Sequence, residues 1–353
     1  MTSREKKLNK KADKWQTELA QSITSVHELE KKICLSETEK TNIELITKIF
    51  KIRITPFYLS LMDKNNPDCP IRKQAIPSLE ELDFKMEELE DPLGDDRYSP
   101  VPRLTHRYPD RVLIFPTYEC ATYCRHCFRR RIVGRNDQEM TKEEMKCILT
   151  YIQNHNEINE VILTGGDPLL LKDEVLKELL LKIRSIHHVR ILRIHTRLFV
   201  TLPHRITHEL KSILKKAKPL YIVIHVNHFN EISAQFRRAV RGIAEAGIPI
   251  LSQSVLLKGI NDDVQSLRKL FSGLIEASVK PYYLHYCDLA RGISHFRTPI
   301  QKGSELLKQL RGSVSGLCIP YYMVESVGGH GKVPVLYNCF KVNPQLCWGT
   351  HRV

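Results

Sequence analysis

The chain has 353 residues, 42% hydrophobic and 27% charged, with ordinary glycine and proline, so it is neither disordered, collagen-like nor a small disulfide scaffold. Its formal charge of +14 favours anionic partners, but the basic residues are dispersed and no RNA-recognition, zinc-finger or helix-turn-helix pattern focuses them, so direct nucleic-acid binding is not expected. No apolar run approaches the roughly 18 residues of a membrane span, and MTSREKKLNKKADKW lacks the apolar stretch of a secretion signal; no membrane association and a cytoplasmic location are expected.

In chain order, residues 8–34 and 37–53 are predicted as helices, with Trp15, Leu19, Ile23, Val26 and Ile33 at helical spacing. A short helix over 78–90 follows Pro77-Ser78, and the acidic segment from Asp91 to Pro102 is expected to be a linker. Residues 1–100 therefore form a helical N-terminal extension. From 111 onward, strand-like runs (RVLIF, EVILT, ILRIH, LYIVIHV, IPILSQSV, PYYLHY, IPYYMVE) alternate with helical segments near 141–155, 172–187, 204–217, 230–246, 263–277 and 300–312. Repeated βα units imply a parallel sheet covered by helices.

Residues that carry chemistry follow nearly every strand: CATYCRHC, TGGDP, TR, HVNH, HYCD and ESVGGHGK, with QS inside the fifth. A barrel gathers its strand ends into one mouth, where such proteins place their sites. The expected fold class is α/β, a partial or near-complete parallel β/α barrel over 101–337, with 338–353 as a short C-terminal tail.

Of the ten cysteines, those that stand singly are read as small buried hydrophobes, because nothing marks the chain for an oxidising compartment. Cys120, Cys124 and Cys127 form a C-x3-C-x2-C loop just after the first strand. A structural zinc site normally needs four protein ligands, whereas three thiolates can hold three irons of a [4Fe–4S] cluster and leave the fourth open. The spacing, with Tyr123 and Phe128 around it, resembles the signature of radical S-adenosylmethionine enzymes. TGGDP resembles that family's Gly-Gly segment, which implies that Gly165, Gly166 and Asp167 bind S-adenosylmethionine.

Lys332 sits behind a glycine-rich loop; a lysine inside a barrel mouth can become a Schiff-base nucleophile. Arg107 and Arg111 in THRYPDRVL are spaced to reach one anion, and pyridoxal 5′-phosphate would join the lysine to the arginines. Together THRYPDRVL, CATYCRHCFRRR, LTGGDPL, QSVLL, PYYLHYCD, HFRTP and GGHGKVPV, over about residues 90–338, resemble the lysine 2,3-aminomutase family.

That resemblance implies an isomerase in which a 5′-deoxyadenosyl radical takes a hydrogen from the β-carbon of lysine held on pyridoxal phosphate. The amino group then migrates from the α- to the β-carbon, giving β-lysine. It implies Cys120, Cys124 and Cys127 as cluster ligands, Lys332 as the pyridoxal lysine, and Arg107, Tyr108 and Arg111 around the cofactor. Arg129 would bind the substrate carboxylate, His225 and Gln253 would contact S-adenosylmethionine, and Asp288 and Glu325 would bind the substrate ammonium. Glu325 departs from the family pattern, which has an aspartate there. A flavodoxin or ferredoxin is the implied electron donor. CRHCFRR, PYYLH and the short tail resemble relatives that make β-lysine for elongation factor P, while GGHGKVPV resembles the free-lysine branch. Two other readings stand beside this one: an aminomutase for another basic amino acid such as arginine, and an RNA- or ribosome-associated iron–sulfur protein.

Overall fold

The strand-like runs from residue 111 onward all pair with one another. The computed structural model describes residues 14–134, 139–326 and 331–335. Around the sheet lie α1 (Lys14–Ala20), α2 (Val26–Glu30), α3 (Glu37–Thr47), α4 (Pro56–Ser60), α5 (Pro70–Lys73), α6 (Lys142–Gln153), α7 (Asp173–Arg184), α8 (Leu198–Thr201), α9 (His208–Lys216), α10 (Ala234–Ala244), α11 (Val264–Glu276) and α12 (Ile300–Leu310). The strands are β1 (Leu104–Tyr108), β2 (Arg111–Thr117), β3 (Glu160–Gly165), β4 (Ile191–Thr196), β5 (Leu220–His225), β6 (Ile250–Val255), β7 (Lys280–His285), β8 (Tyr321–Ser326) and β9 (Gly331–Pro334), paired in sequential order.

β2 through β8 are the seven expected strands, all parallel. β1 and β9 are antiparallel additions at the two edges, absent from the sequence reading because LTHRY and GKVP are short and carry no β-branched run. The parallel strands bury Val161, Leu163, Leu192, Ile194, Ile222 and Ile224 completely, as expected for a sheet covered by helices. α7 turns Leu176, Leu179, Leu180 and Ile183 onto it.

β1 and β9 meet without a ladder. Their seam is closed by side chains: the Tyr108 hydroxyl accepts a hydrogen bond from the Lys332 backbone N–H at 2.9 Å, and Arg107 pairs with Glu325 at 2.5 Å. The result is a partial parallel barrel whose seam lies beside the lysine singled out above.

The first hundred residues differ from their expected outline. The stretch expected as one helix over 8–34 holds two short ones, because Ile23 pairs with Ile54 and Ser25 opens α2 with a capping box. α3 ends at Thr47 rather than 53; the alternating Ile52 and Ile54 turn inward, and Pro56 disfavours helix at the residue before it. The helix expected over 78–90 is a single 3-10 turn at Leu79–Leu82, since DFKMEELE offers no continuous apolar face and Leu89 bridges instead to Ala290. Ile43, Ile54, Tyr58 and Ile71 belong to the same hydrophobic core as the strands.

The Asp91–Pro102 segment runs without helix or strand, as expected of a linker, and is anchored: Asp95 is buried against Arg129, and Asp91 and Asp96 pair with Arg131. Among the single cysteines, Cys69, Cys287 and Cys318 are buried as expected, while Cys34 and Cys147 are exposed. No described helix is long and apolar enough to cross a membrane. Residues 8–13 of the first expected helix, Gly328 and Gly329, and residues 338–353 of the expected tail lie outside the described residues.

Candidate active site

The cysteine loop is held on one side by the segment that follows β3. A Cβ at Gly166 would lie 2.2 Å from the carbonyl oxygen of Glu119, and Gly165 has φ +111°, so only glycine fits this approach without strain. The Gly166 N–H donates to Thr117 O at 3.0 Å and the Asp167 N–H to Glu119 O at 2.7 Å, immediately before Cys120. The glycines thus press on the protein's own loop. The Asp167 carboxylate accepts from Thr196 Oγ1 at 2.8 Å and from the Arg197 N–H at 2.7 Å, tying β3 to β4; burial pushes its pKa up to about 6.

The N-terminal extension grips the other side of the loop. Tyr123 N–H donates to Arg53 O and Arg125 N–H to Gln74 O, both at 2.9 Å, and Arg53 pairs with Glu119 at 2.7 Å. Glu81, fully buried, takes Arg125 at 2.5 Å and also pairs with Arg130; the two guanidiniums hold its pKa below the usual range against its burial. Two cations on one buried carboxylate leave the loop little freedom.

Burial pushes the Cys127 thiol up to about 11 and the Cys120 thiol well above its ordinary value, with the neighbouring thiols adding to both. The three thiols are thus electrostatic neighbours. Three thiols in one short loop can hold three irons of a cluster, whereas a structural zinc normally takes four protein ligands. Arg197 brings Nη1 to 2.6 Å from Cys124 Sγ.

A second group lies at the seam. Glu325 on β8 and Lys332 on β9 are register partners, with the Lys332 Nζ 3.5 Å from the carboxylate and 5.9 Å above the Tyr283 ring. The same carboxylate, 5% exposed, takes Arg107, so that arginine faces inward. Arg111 lies 3.9 Å over the Tyr108 ring and pairs with Asp110 at 2.8 Å. The two guanidiniums flanking Tyr108, with an amine across the seam, fit a ligand that carries both a phosphate and an aldehyde.

Asp288 follows β7 in the same mouth. Burial, then the Glu325 carboxylate, pushes its pKa up to about 7, while Lys332, Arg129 and Arg107 pull the other way. Arg129 is buried against Asp95, with Nε at 2.8 Å, and its Nη1 is 3.5 Å from Thr164 Oγ1. Lys332, Glu325, Asp288, Arg107 and Arg129 therefore share one electrostatic neighbourhood, in which two carboxylates can take a cation and Arg129 can take a carboxylate.

Gln253 sits between two histidines, its Nε2 at 3.4 Å from His195 Nδ1 and its Oε1 at 3.4 Å from His285 Nε2. Burial lowers the pKa of all of the inward histidines, that of His225 to about 3, so they stand neutral. The Nε2 atoms of His195 and His225 are buried with no partner, the kind of polar atom a bound ligand satisfies. Arg197, Asp95, His195, His285 and Tyr283 were not singled out from sequence. Arg197 and His285 lie in the TR and HYCD strand ends; Asp95 had no signal among its acidic neighbours.

A partial parallel barrel with a three-cysteine loop at its mouth defines a radical S-adenosylmethionine enzyme, and the model of the radical SAM superfamily matches residues 114–271. The L-lysine 2,3-aminomutase of Clostridium subterminale is 47% identical over 324 residues, covering 92% of this chain and 78% of that protein. The glutamate 2,3-aminomutase of Clostridioides difficile is 42% identical over 323 residues, 92% of this chain and 76% of that one. Among solved structures, a radical SAM methyltransferase from Sphaerobacter thermophilus has a TM-score of 0.48 and 15% identity over 63% of this chain and 68% of that one. The chain belongs to the lysine 2,3-aminomutase family, whose members use a [4Fe–4S] cluster, S-adenosylmethionine and pyridoxal phosphate.

Proposed function

We propose that this protein is a lysine 2,3-aminomutase that converts L-lysine to β-lysine. The observation that carries the choice of substrate is that two carboxylates, Glu325 at 3.5 Å from Lys332 and the buried Asp288, lie within electrostatic reach of one another. A cationic side chain lowers the free energy of two crowded carboxylates, whereas a glutamate substrate would bring a third.

When bound, the reduced cluster and S-adenosylmethionine supply the radical that removes and returns a β-hydrogen, and pyridoxal phosphate carries the migrating nitrogen. In this reading Cys120, Cys124 and Cys127 hold the cluster. Lys332 would hold the aldehyde end of pyridoxal phosphate, and Arg107, Tyr108 and Arg111 would hold its phosphate end. The neutral His225 and Gln253 offer hydrogen bonds to S-adenosylmethionine without adding charge. Arg129 takes the α-carboxylate of lysine. Asp288, with a pKa of about 7, gives up its proton as the substrate ammonium arrives. A ferredoxin or flavodoxin supplies the electron.

The test is anaerobic reconstitution with iron, sulfide and pyridoxal phosphate, then incubation with S-adenosylmethionine, dithionite and lysine, arginine or glutamate in parallel. β-Lysine that disappears in Cys124→Ala and Lys332→Ala supports the reading. Turnover of arginine or glutamate in preference to lysine overturns the substrate assignment. The onward use of β-lysine on elongation factor P rests on the CRHCFRR and PYYLH resemblance alone. A β-lysyl mass increment on that factor in cells making this protein, absent in Lys332→Ala, tests it.

A further inference from the structure

Arg197 follows β4 and is buried, and its guanidinium joins four elements that are distant in sequence. Nη2 is 2.6 Å from Glu231, 2.7 Å from Gln74 Oε1 and 3.0 Å from the Tyr58 hydroxyl, while Nη1 is 2.6 Å from Cys124 Sγ. Each partner is itself fixed. Glu231 accepts from the Tyr58 hydroxyl at 2.8 Å and from the N–H groups of Asn227 at 2.6 Å and His228 at 3.0 Å, and Gln74 Oε1 also takes Asn227 Nδ2 at 2.9 Å. The Arg197 N–H is anchored on Asp167.

A guanidinium compensated by a buried carboxylate has its charge met on one side, and its remaining N–H edge is aimed by rigid neighbours. Here that edge faces a cysteine of the cluster loop, and the aiming groups Tyr58 and Gln74 come from the N-terminal extension. We infer that Arg197 is a positioning residue for the Cys124 corner of the cluster, and that the Arg197–Glu231 pair sets the cluster's reduction potential. The inference rests on Cys120, Cys124 and Cys127 being cluster ligands. A donor and positive charge at a ligand sulfur favour the reduced cluster, which carries one more electron, so they raise the potential. Glu231 moderates that field.

The two halves of the pair therefore predict shifts of opposite sign. In the reconstituted holoenzyme, without S-adenosylmethionine, the reduced cluster is followed by electron paramagnetic resonance during a potentiometric titration. Arg197→Gln lowers the ratio of reduced to oxidised cluster at the wild-type midpoint by about tenfold, and Glu231→Gln raises it several-fold. Both variants are compared at full iron content and with unchanged circular dichroism. If Arg197→Gln does not fold, Glu231→Gln decides alone, because its amide oxygen still serves the N–H groups of Asn227 and His228. Midpoints equal to wild type in folded, fully loaded protein overturn the inference and mark the network as structural only. A wild-type protein that binds no [4Fe–4S] cluster would instead overturn the reading of the cysteines.

Discussion

The Tyr108 hydroxyl accepts a hydrogen bond from the backbone N–H of Lys332 at 2.9 Å, fastening β1 to β9 where the sheet has no ladder. The contact needs Gly331 beside it, whose φ is +103° and where a Cβ would lie 3.1 Å from the same hydroxyl. The seam therefore carries the lysine proposed to bind pyridoxal phosphate, and its closure relies on side chains. In Tyr108→Phe one hydrogen bond worth about 1 kcal/mol is lost. Pyridoxal phosphate affinity, read from the absorbance of the bound cofactor, is expected to weaken several-fold with little change in Tm. Equal affinity in the variant would sink this role.

Gly166 is the tightest point of the cysteine loop. A methyl at this position would meet Glu119 O at 2.2 Å, and that atom is backbone, so β3 or the loop must shift. Gly166→Ala is expected to lower the iron retained after reconstitution and desalting by at least half, and to lower Tm. Full iron content would show that the loop tolerates the displacement.

Glu81 holds two guanidiniums from the loop, and removing the charge from a buried ion pair typically costs about 3–5 kcal/mol. Glu81→Gln is expected to lose about 3 kcal/mol or more in a denaturant titration. A loss below about 1 kcal/mol, the worth of an exposed pair, would contradict this account.

Asp288 makes the mouth pH-sensitive. Its folded pKa of about 7 is raised above the ordinary carboxylate value, so the folded state keeps a proton that the unfolded chain has released. Its contribution to stability is full below about pH 4 and is lost as pH rises through about 7. Asp288→Asn is therefore expected to gain stability relative to wild type at pH 8 but not at pH 4, seen as a difference in Tm. Lysine should bind wild type more tightly at pH 8 than at pH 6, because the ammonium displaces the Asp288 proton. A pH-independent difference in Tm would refute this account.

Much of this could be read from the linear chain. The seven parallel strands have apolar runs that report burial on both faces, and the six surface helices carry a clean helical period. Cys120, Cys124 and Cys127 were visible because short spacing itself encodes their proximity, and Lys332 because it follows a glycine loop after a strand. The first hundred residues were legible only in part, since three of their segments break where a distant partner competes with helix: Ile54 for Ile23, Ala290 for Leu89, and the core for Ile52.

The sequence by itself determined the alternation of strand and helix, and with it the barrel, because hydrophobic period and turn residues are local properties. It also determined the thiols available for a cluster. Only the tertiary structure decided which charges face each other. That Asp95 meets Arg129, Glu325 meets both Arg107 and Lys332, and Arg197 joins Tyr58, Gln74 and Glu231 to Cys124 depends on residues up to 218 positions apart (Glu325 and Arg107). A buried charge is stable only with its partner in place, and the choice of partner is made by packing rather than by spacing along the chain.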